Sequence, residues 1–470
     1  MTRLVDRAPA SCSDTDGIVL VSALLAGIKK LTAQVAALSA RVQELESENA
    51  ALRDKLTPLP PARTSQNSSL PPSQGRKANA DRTSRPKSKV HAGAHRPLHP
   101  KPTTQRDVVA ERCPHCQADL GGVVQAPVHA YDRIELPEIT PDVTRVTLHG
   151  GTCPCCARRF KALPPAGLEP GSPYGPNLRA FVLYLRFAQA IPFERLACLL
   201  SDLLGVTISE GALANMLADS RPAFERQTSL IRQRLLSGTL LQSDETSVRV
   251  GGKTWWTWVF HSGNSACFVV RPHRGKGVVK EFLGAFRPEV WVSDRLGAQM
   301  GWATAAHQVC LAHLLRDVQY AIDAGDVVFA PGMKKLLKQA IAIGHRRDHL
   351  ADATLVTYAS RLETTLDRLL QTTPDQRAGH KLQRVIKRFR QNLFVFITNR
   401  TVPPTNNGSE QALRPCVVFR KVTNGFRSEW AAALYADVRS VFEPARRRGG
   451  ISILRAIRLT LDGTPLPAGA

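Results

Sequence analysis

The chain has 470 residues, a formal net charge of +24 and a sequence pI near 10.1. This length predicts about two to four domains, at least one of them with a sizeable core. So large a positive charge favours a polyanionic partner, above all nucleic acid, over an acidic membrane or an acidic protein.

The N-terminal sequence predicts neither secretion nor insertion into a membrane. Its longest apolar run, residues 18–28, is short for a bilayer and is followed by Lys29 and Lys30. Four of the ten cysteines fall in two CxxC pairs and the others stand singly, which favours metal ligands over disulfides. We therefore expect a protein of the reducing cytoplasm without membrane contact.

A heptad pattern over residues 18–57 predicts a coiled coil that joins two copies of the chain. One core position is occupied by Leu24, Leu31, Leu38, Leu45 and Leu52. The other carries Ile28, Val35 and Val42, followed by a polar Asn49. Leucine at d with β-branched residues at a favours a parallel two-stranded coiled coil, and one buried asparagine fixes its register. The alternative is an amphipathic helix packed on its own domain.

Residues 58–106 are rich in Pro, Ser, Asn, Arg and Lys and almost free of aromatic residues. Such a composition cannot bury enough apolar surface to fold, so the segment is predicted to be a disordered basic linker. It either touches phosphates without sequence preference or serves only as a spacer.

Residues 107–165 are predicted to form a zinc-ribbon domain. The four ligands would be Cys113, Cys116, Cys153 and Cys156. Four thiolates complete the tetrahedral coordination of one structural Zn²⁺ and leave no open position for catalysis. His115 and Cys155 are spare ligands, which leaves the fourth position open, and residues 128–136 and 143–148 alternate as strands do.

Residues 170–236 have a helical pattern that contains a possible helix-turn-helix. A helix over residues 193–204, a turn over 205–208 and a second helix capped by Ser209 have the right spacing. DNA recognition and ordinary helix packing are both compatible with it.

From residue 237 to 450 the sequence predicts a ribonuclease-H-like α/β catalytic domain, so the whole chain is a multidomain α+β protein. The expected elements are three antiparallel strands (the runs 239–242 and 247–250, then 253–261 and 266–271), a helix at 278–286 and a fourth strand at 290–292. The first and fourth strands of that fold lie side by side. Asp244 and Asp294, each at the end of one of these strands, would then be neighbours.

Paired carboxylates at that place fit phosphodiester chemistry. Two Mg²⁺ ions held by hard oxygen ligands stabilise both the entering and the leaving oxygen. Glu245 is a rival to Asp244, and since adjacent strand residues face opposite sides, only one of them should point at the metals. By spacing alone Glu410 is a capping-box residue of a helix that Asn407 caps and Pro415 kinks or ends.

Four motifs, in order, resemble those of transposases of the insertion-sequence-66 family. They are SDET at Asp244, VWVSD ending at Asp294, CLAHLLRD from Cys310 and NNGSEQALRP at Glu410. The order of parts also resembles that family over residues 20–450: a coiled coil, a linker with NSSLPPS, a four-cysteine zinc domain and a nuclease domain.

The resemblance implies an acidic triad of Asp244, Asp294 and Glu410 that binds two Mg²⁺. It also implies accessory proteins encoded by the same element. The long interval between the second and third carboxylates predicts a helical insertion at about 313–398. Cys310 and His313 match a CxxH element, for which we expect a structural role and no zinc, because two ligands do not make a site.

Basic residues after the third carboxylate would contact the DNA backbone, unless they form a solvated face. They are Arg414, Arg420, Lys421 and Arg427, continued by Arg439, Arg446, Arg447 and Arg448. The expected function is a DNA transposase that binds its terminal inverted repeats, cleaves there and joins the 3′-hydroxyl to target DNA. Alternatives are a zinc-ribbon DNA-binding regulator without catalysis and a nuclease that cuts without joining.

Overall fold

The computed structural model describes residues 14–55, 60–68, 96–448 and 450–467. Most of the predicted linker, residues 69–95, lies outside the described residues, as do positions 56–59 at the end of the predicted coiled coil. In the described residues 60–68, contrary to the prediction of a disordered linker, Asn67 is 4 % exposed and its Nδ2 donates to Asp323 at 2.9 Å. Described residues 451–467, predicted to be a tail, instead contain helix α14 (Ile453–Leu461), whose Ala456 and Ile457 are fully buried.

The N-terminal helix α1 (Asp14–Lys55) covers the predicted heptads. Its apolar core positions from Leu24 to Leu45 are between 43 % and 66 % exposed in the single chain. By length and composition alone, Val21–Asn49 could also cross a membrane, at a hydropathy of 1.3. The prediction that no segment crosses a membrane was based on the shorter apolar run at residues 18–28. Lys29, Lys30 and a regular apolar seam nevertheless suit a partnered helix better than a lipid-immersed one.

The two CxxC pairs lie on two similar turns. A short hairpin of β1 (Gly150–Thr152) and β2 (Arg159–Lys161) carries the second pair, and an isolated bridge between Arg112 and Asp119 encloses the first. The expected strands at 128–136 and 143–148 are not formed. These runs are largely exposed and have no neighbouring strand, and a strand without a partner leaves its backbone groups unpaired.

The helical region before the sheet is confirmed. It consists of α2 (Pro176–Leu183), a π-helical turn (Tyr184–Ala188), α3 (Phe193–Leu204), α4 (Glu210–Asp219) and α5 (Arg221–Leu235). Gly205 ends α3 in the left-handed conformation, and the Ser209 side chain caps α4 by accepting from the backbone N–H of Ala212. Glycine and serine are the residues preferred at these two positions, which is why the sequence predicted the boundaries well.

A five-stranded mixed sheet forms the centre of the chain. Its strands are β3 (Leu240–Val250), β4 (Lys253–Ser262), β5 (Ser265–Arg271), β6 (Val290–Ser293) and β7 (Ala306–Val309), in the spatial order β5-β4-β3-β6-β7. Strands β3, β4 and β5 are antiparallel, whereas β6 runs parallel to β3 and β7 parallel to β6. The first and fourth strands of this sheet are therefore adjacent, as expected. Gly251 and Gly252 both have positive φ, which the tight β3–β4 turn requires.

Helices cover both sides of this sheet and one of its edges. After α6 (Lys276–Leu283), which packs on one face, a helical insertion follows β7. It contains α7 (Leu311–Asp323), α8 (Ala330–Arg346), α9 (Asp352–Gln371), α10 (Arg377–Arg388) and α11 (Val395–Thr398). Its core includes Val290, Val292 and Val309 of β6 and β7.

The opposite face of the sheet is covered by α12 (Asn407–Thr423), α13 (Glu429–Arg448), α14 and the helical region. Of the two outcomes predicted for Pro415, a kink or the end of the helix, the second is wrong, because α12 continues through Pro415 to Thr423. The N-terminus of α12 is thereby held against β3.

Candidate active site

The centre of the site is a pair of aspartates on adjacent parallel strands. The register aligns Gln242 of β3 with Val292 of β6, so Asp244 and Asp294 lie two residues further on at the same level. Asp244 is not at the end of its strand, as predicted, but in the middle of an 11-residue strand. Only β6 ends here, at Ser293, and Asp294 follows immediately.

Glu245 also belongs to this site, which corrects the expectation that one of the two neighbours would point away. Carboxylate oxygens of Asp244, Glu245 and Asp294 all lie within 4.8 Å of one another. The two side chains leave β3 on opposite faces, but Asp294 stands beyond the end of β6. Beyond the end of β6 no strand of the described chain lies on that side of β3 to keep the two faces of the sheet apart. The longer Glu245 side chain therefore reaches Asp294.

A buried polar network holds Glu245 in place. The Trp291 indole N–H donates to Ser243 Oγ at 2.8 Å, and Ser243 Oγ donates to Gln299 Oε1 at 2.6 Å. The Gln299 amide in turn donates to Glu245, whose side chain is only 1 % exposed and is paired with Arg274 at 2.5 Å. Gln299, which departs from the resembled motifs, thus has a defined role beside the second aspartate.

Glu410 lies in the first turn of α12, close enough to raise the pKa of Asp244 by repulsion but outside the group of Asp244, Glu245 and Asp294. The capping residue is Asn406, not Asn407, so Glu410 is at the fourth helical position and is not part of a capping box. Asn406 is fully buried, and its Nδ2 donates to the Ser243 carbonyl at 2.7 Å while its Oδ1 accepts from Ser409 Oγ at 2.7 Å. Asn406 therefore fastens the helix of the third carboxylate to the strand of the first.

The electrostatics of the carboxylates confirm that they share one environment. Burial raises the pKa of Asp244 well above its usual value, and Glu245, Asp294 and Glu410 raise it further by repulsion. Burial and Asp294 raise the pKa of Glu245 to about 6, although Arg274 opposes the shift. So many like charges in a buried place are stable only with protons or cations among them.

Glu410 also belongs to a second group, with Cys310 and His313. Ligand atoms of these three residues lie within 4.8 Å of one another, and His313 Nδ1 is 3.8 Å from Glu410 Oε1. Cys310 is buried just before α7, and its Sγ accepts from the backbone N–H of Asn406 at 3.2 Å. The CxxH element therefore lies beside the acidic residues, as expected.

The predicted zinc ligands form two separate pairs. Among the residues that the structure describes, the groups of three or more possible ligands within 4.8 Å do not include Cys113, Cys116, Cys153 or Cys156. Within each pair the backbone is prepared for metal. The first cysteine accepts backbone N–H groups from its own CxxC turn, and these lower the pKa of Cys113 and of Cys153.

The predicted DNA-contacting cations divide into two kinds. Arg414, Lys421 and Arg427 are exposed. Arg420, in contrast, donates to the hydroxyl of Ser247 at 2.8 Å and so braces α12 against β3. The continuation of this run was predicted wrongly for Arg439, which is 3 % exposed and paired with Glu443 inside the core.

The helix pair α3–α4 has the expected order of helix, turn and helix, but its second helix exposes acidic residues. Glu210 and Asp219 are exposed at the two ends of α4, the helix that would enter a DNA groove. Both would repel phosphates. Leu213, Met216 and Leu217 are buried in the core, so ordinary helix packing accounts for the pair.

A strongly basic chain whose sheet gathers carboxylates from distant segments has the character of a nucleic-acid-processing enzyme. The model of the family described as "Transposase IS66 family" matches residues 171–434, more than half of the chain. The chain belongs to this family of transposases, which confirms the resemblance seen in its motifs. DNA is therefore its partner, and the family implies a divalent metal. A search of curated proteins finds no match.

Proposed function

We propose that this chain is a DDE transposase that cleaves DNA at the ends of its insertion sequence and joins the freed 3′-hydroxyl to target DNA. The proposal is supported by the carboxylate oxygens of Asp244, Glu245 and Asp294, which lie within 4.8 Å of one another. Glu410, 166 positions after Asp244 in the sequence, is close enough to raise the pKa of Asp244 by repulsion. On this interpretation the central domain is ribonuclease-H-like, in agreement with its strand order.

The acidic residues fit the divalent metal that the family implies. They offer hard oxygen ligands, and burial together with the neighbouring carboxylates raises the pKa of Asp244, so that bound cations would stabilise its charged form. Asp244, Asp294 and Glu410 would hold two Mg²⁺, with Glu245 as an additional carboxylate. The ions would supply charge stabilisation to both oxygens of the phosphodiester under attack.

The chain's own residues position these ligands. Asn406 and Cys310 fix the start of α12, and the Gln299 network fixes Glu245. The backbone N–H of Leu296 donates to the Asp294 carboxylate at 2.9 Å and so limits its rotation. Supporting bonds of this kind hold ligands in a productive geometry before the substrate arrives.

The N-terminal parts would bring two element ends together. We propose that α1 pairs with the α1 of a second copy, because its apolar seam is exposed along six turns or more in the single chain. One structural Zn²⁺ would join the two CxxC turns, which have matching backbone bonds from Gln117 to Cys113 and from Ala157 to Cys153. Because Glu210 and Asp219 are exposed on α4, we propose this zinc-bearing domain as the part that binds the terminal inverted repeats.

Accessory proteins of the same element and a cytoplasmic, nucleoid-associated location complete the proposal. The exposed Arg414, Lys421 and Arg427 follow Glu410 along α12 and the loop after it, where they would meet the DNA backbone. Arg420 would support them by keeping α12 on the sheet.

A strand-transfer assay with labelled element ends, target DNA and Mg²⁺ tests the proposal. We expect cleaved and joined products from the wild type and neither product from Asp244→Asn, because the amide cannot replace a metal-binding carboxylate. Asp375→Asn, at an exposed position between α9 and α10, is the matched control and should remain active. Cleavage without joining would indicate a simple nuclease, and equal DNA behaviour of wild type and Asp244→Asn would indicate a regulator.

A further inference from the structure

Beside the acidic site, three residues of different chemistry meet around one point. We infer that Cys310, His313 and Glu410 form a separate binding site for Zn²⁺. Their ligand atoms lie within 4.8 Å of one another, although the residues belong to two segments almost 100 positions apart.

The first two ligands come from the start of α7. Cys310 caps the helix and His313 lies three residues later, so both side chains project from the same side of the first turn. Glu410 approaches from the first turn of α12. The sequence supplied only two ligands in the CxxH element, and this was the reason to expect no zinc. The fold supplies the third.

Two buried polar atoms at this point have no hydrogen-bond partner. They are His313 Nδ1 and Glu410 Oε1, which face each other at 3.8 Å. That separation is too long for a hydrogen bond. Leaving two such atoms unsatisfied is costly, about 1–3 kcal/mol each. Ligands of one tetrahedral ion at bond lengths of about 2.0–2.3 Å are separated by about 3–4 Å, so an ion between them would satisfy both.

The ligand types select the ion. A thiolate and an imidazole suit Zn²⁺ and disfavour Mg²⁺, which prefers oxygen. The backbone N–H of Asn406 points at Cys310 Sγ, and such N–H donors orient and stabilise a metal-bound thiolate. Three protein ligands leave a fourth position for water.

The site would act on Glu410. The oxygen that faces His313 is Oε1, so Oε2 is the atom available to the aspartate pair. Zn²⁺ would then fix the third carboxylate from one side while its other oxygen serves the acidic site. Only this consequence rests on the proposed function, since binding of Zn²⁺ itself does not require catalysis.

Metal analysis of the purified full-length chain tests the inference. Bound zinc is measured per chain after equilibration with limiting free Zn²⁺, for wild type, Cys310→Ser and His313→Asn. Both variants should contain about one ion fewer than the wild type. Cys416→Ser replaces another buried free cysteine, in α12 and away from these ligands, and should leave the zinc content unchanged.

Substitution with Co²⁺ gives a second readout. The difference spectrum of wild type against Cys310→Ser should contain a sulfur-to-cobalt charge-transfer band, and wild type against Cys416→Ser should not. His313 is partly exposed, so His313→Asn tests the site even if Cys310→Ser does not fold. Equal zinc content in the wild type and His313→Asn would overturn the inference. The proposed function would stand in that case, because Asp244→Asn tests it independently.

Discussion

Asn406 is the residue through which the fold most directly controls the candidate site. In the variant Asn406→Ala, the Ser243 carbonyl and the Ser409 hydroxyl each lose a 2.7 Å partner. Both groups are fully buried, and an unsatisfied buried group costs about 1–3 kcal/mol. The free energy of unfolding should therefore fall by about 2–6 kcal/mol.

At about 2–4 °C per kcal/mol for a domain of this size, a loss near 3 kcal/mol lowers Tm by about 6–12 °C. Strand-transfer activity should fall by more than the loss of folded protein explains, because the start of α12 also sets the position of Glu410. Thermal unfolding and strand transfer, the latter measured well below Tm, separate the two effects.

The matched control is Asn407→Ala, which makes the same chemical change one residue later at an exposed position. It should alter Tm little and leave strand transfer near the wild-type level. If the Asn406 and Asn407 variants behaved alike in both measurements, the assigned role of Asn406 as the fastening between β3 and α12 would be wrong.

Three other predictions follow from buried groups near the site. Gly408→Ala places a Cβ 2.8 Å from the His261 ring and should lower the free energy of unfolding, measured by chemical denaturation, by about 1–3 kcal/mol. The control Gly211→Ala lies in a helix with open space around it and should be neutral or stabilising. Glu443→Gln removes the counter-charge of three arginines from a side chain that is 0 % exposed, and should lower the free energy of unfolding by about 3–5 kcal/mol. The control Glu281→Gln, in an exposed pair, should lower it by at most about 1 kcal/mol. Burial, with Arg447, lowers the pKa of His261 to about 3. As the pH falls, His261 therefore takes up a proton in the unfolded chain before it does so in the folded chain. The stability that neutral His261 contributes is complete above about pH 6.5 and is lost as the pH falls towards 3. His261→Leu should weaken this pH dependence of the free energy of unfolding, measured by urea titration. An unchanged slope of that free energy against pH would contradict the prediction.

The sequence predicted those features that depend on neighbouring residues. Apolar periodicity and local capping placed α3 and α4 almost to the residue, because Gly205 and Ser209 act within their own turns. The break between the expected strands 247–250 and 253–261 falls at Gly251 and Gly252 for the same reason. The adjacency of Asp244 and Asp294 was expected from the order of strands and is present in the sheet.

Features that depend on distant partners could not be predicted in this way. The sequence pattern indicated Asn407 as the cap of α12, whereas Asn406 stands at that position and its side chain donates to the carbonyl of Ser243, 163 residues away. Alternation along β3 excluded Glu245 from the site, because it does not show that the longer Glu245 side chain reaches Asp294 beyond the end of β6. Arg439 was predicted to contact DNA because the sequence pattern does not show that it pairs with Glu443 inside the core.

The location of bound metal tests the central claim most directly. Crystals of the full-length chain soaked in Mn²⁺, a substitute for Mg²⁺ with a usable anomalous signal, would reveal the ions and their ligands. The account predicts Mn²⁺ coordinated jointly by Asp244, Asp294 and Glu410. Ions bound only elsewhere, or bound by the aspartates with Glu410 out of coordination distance, would contradict it.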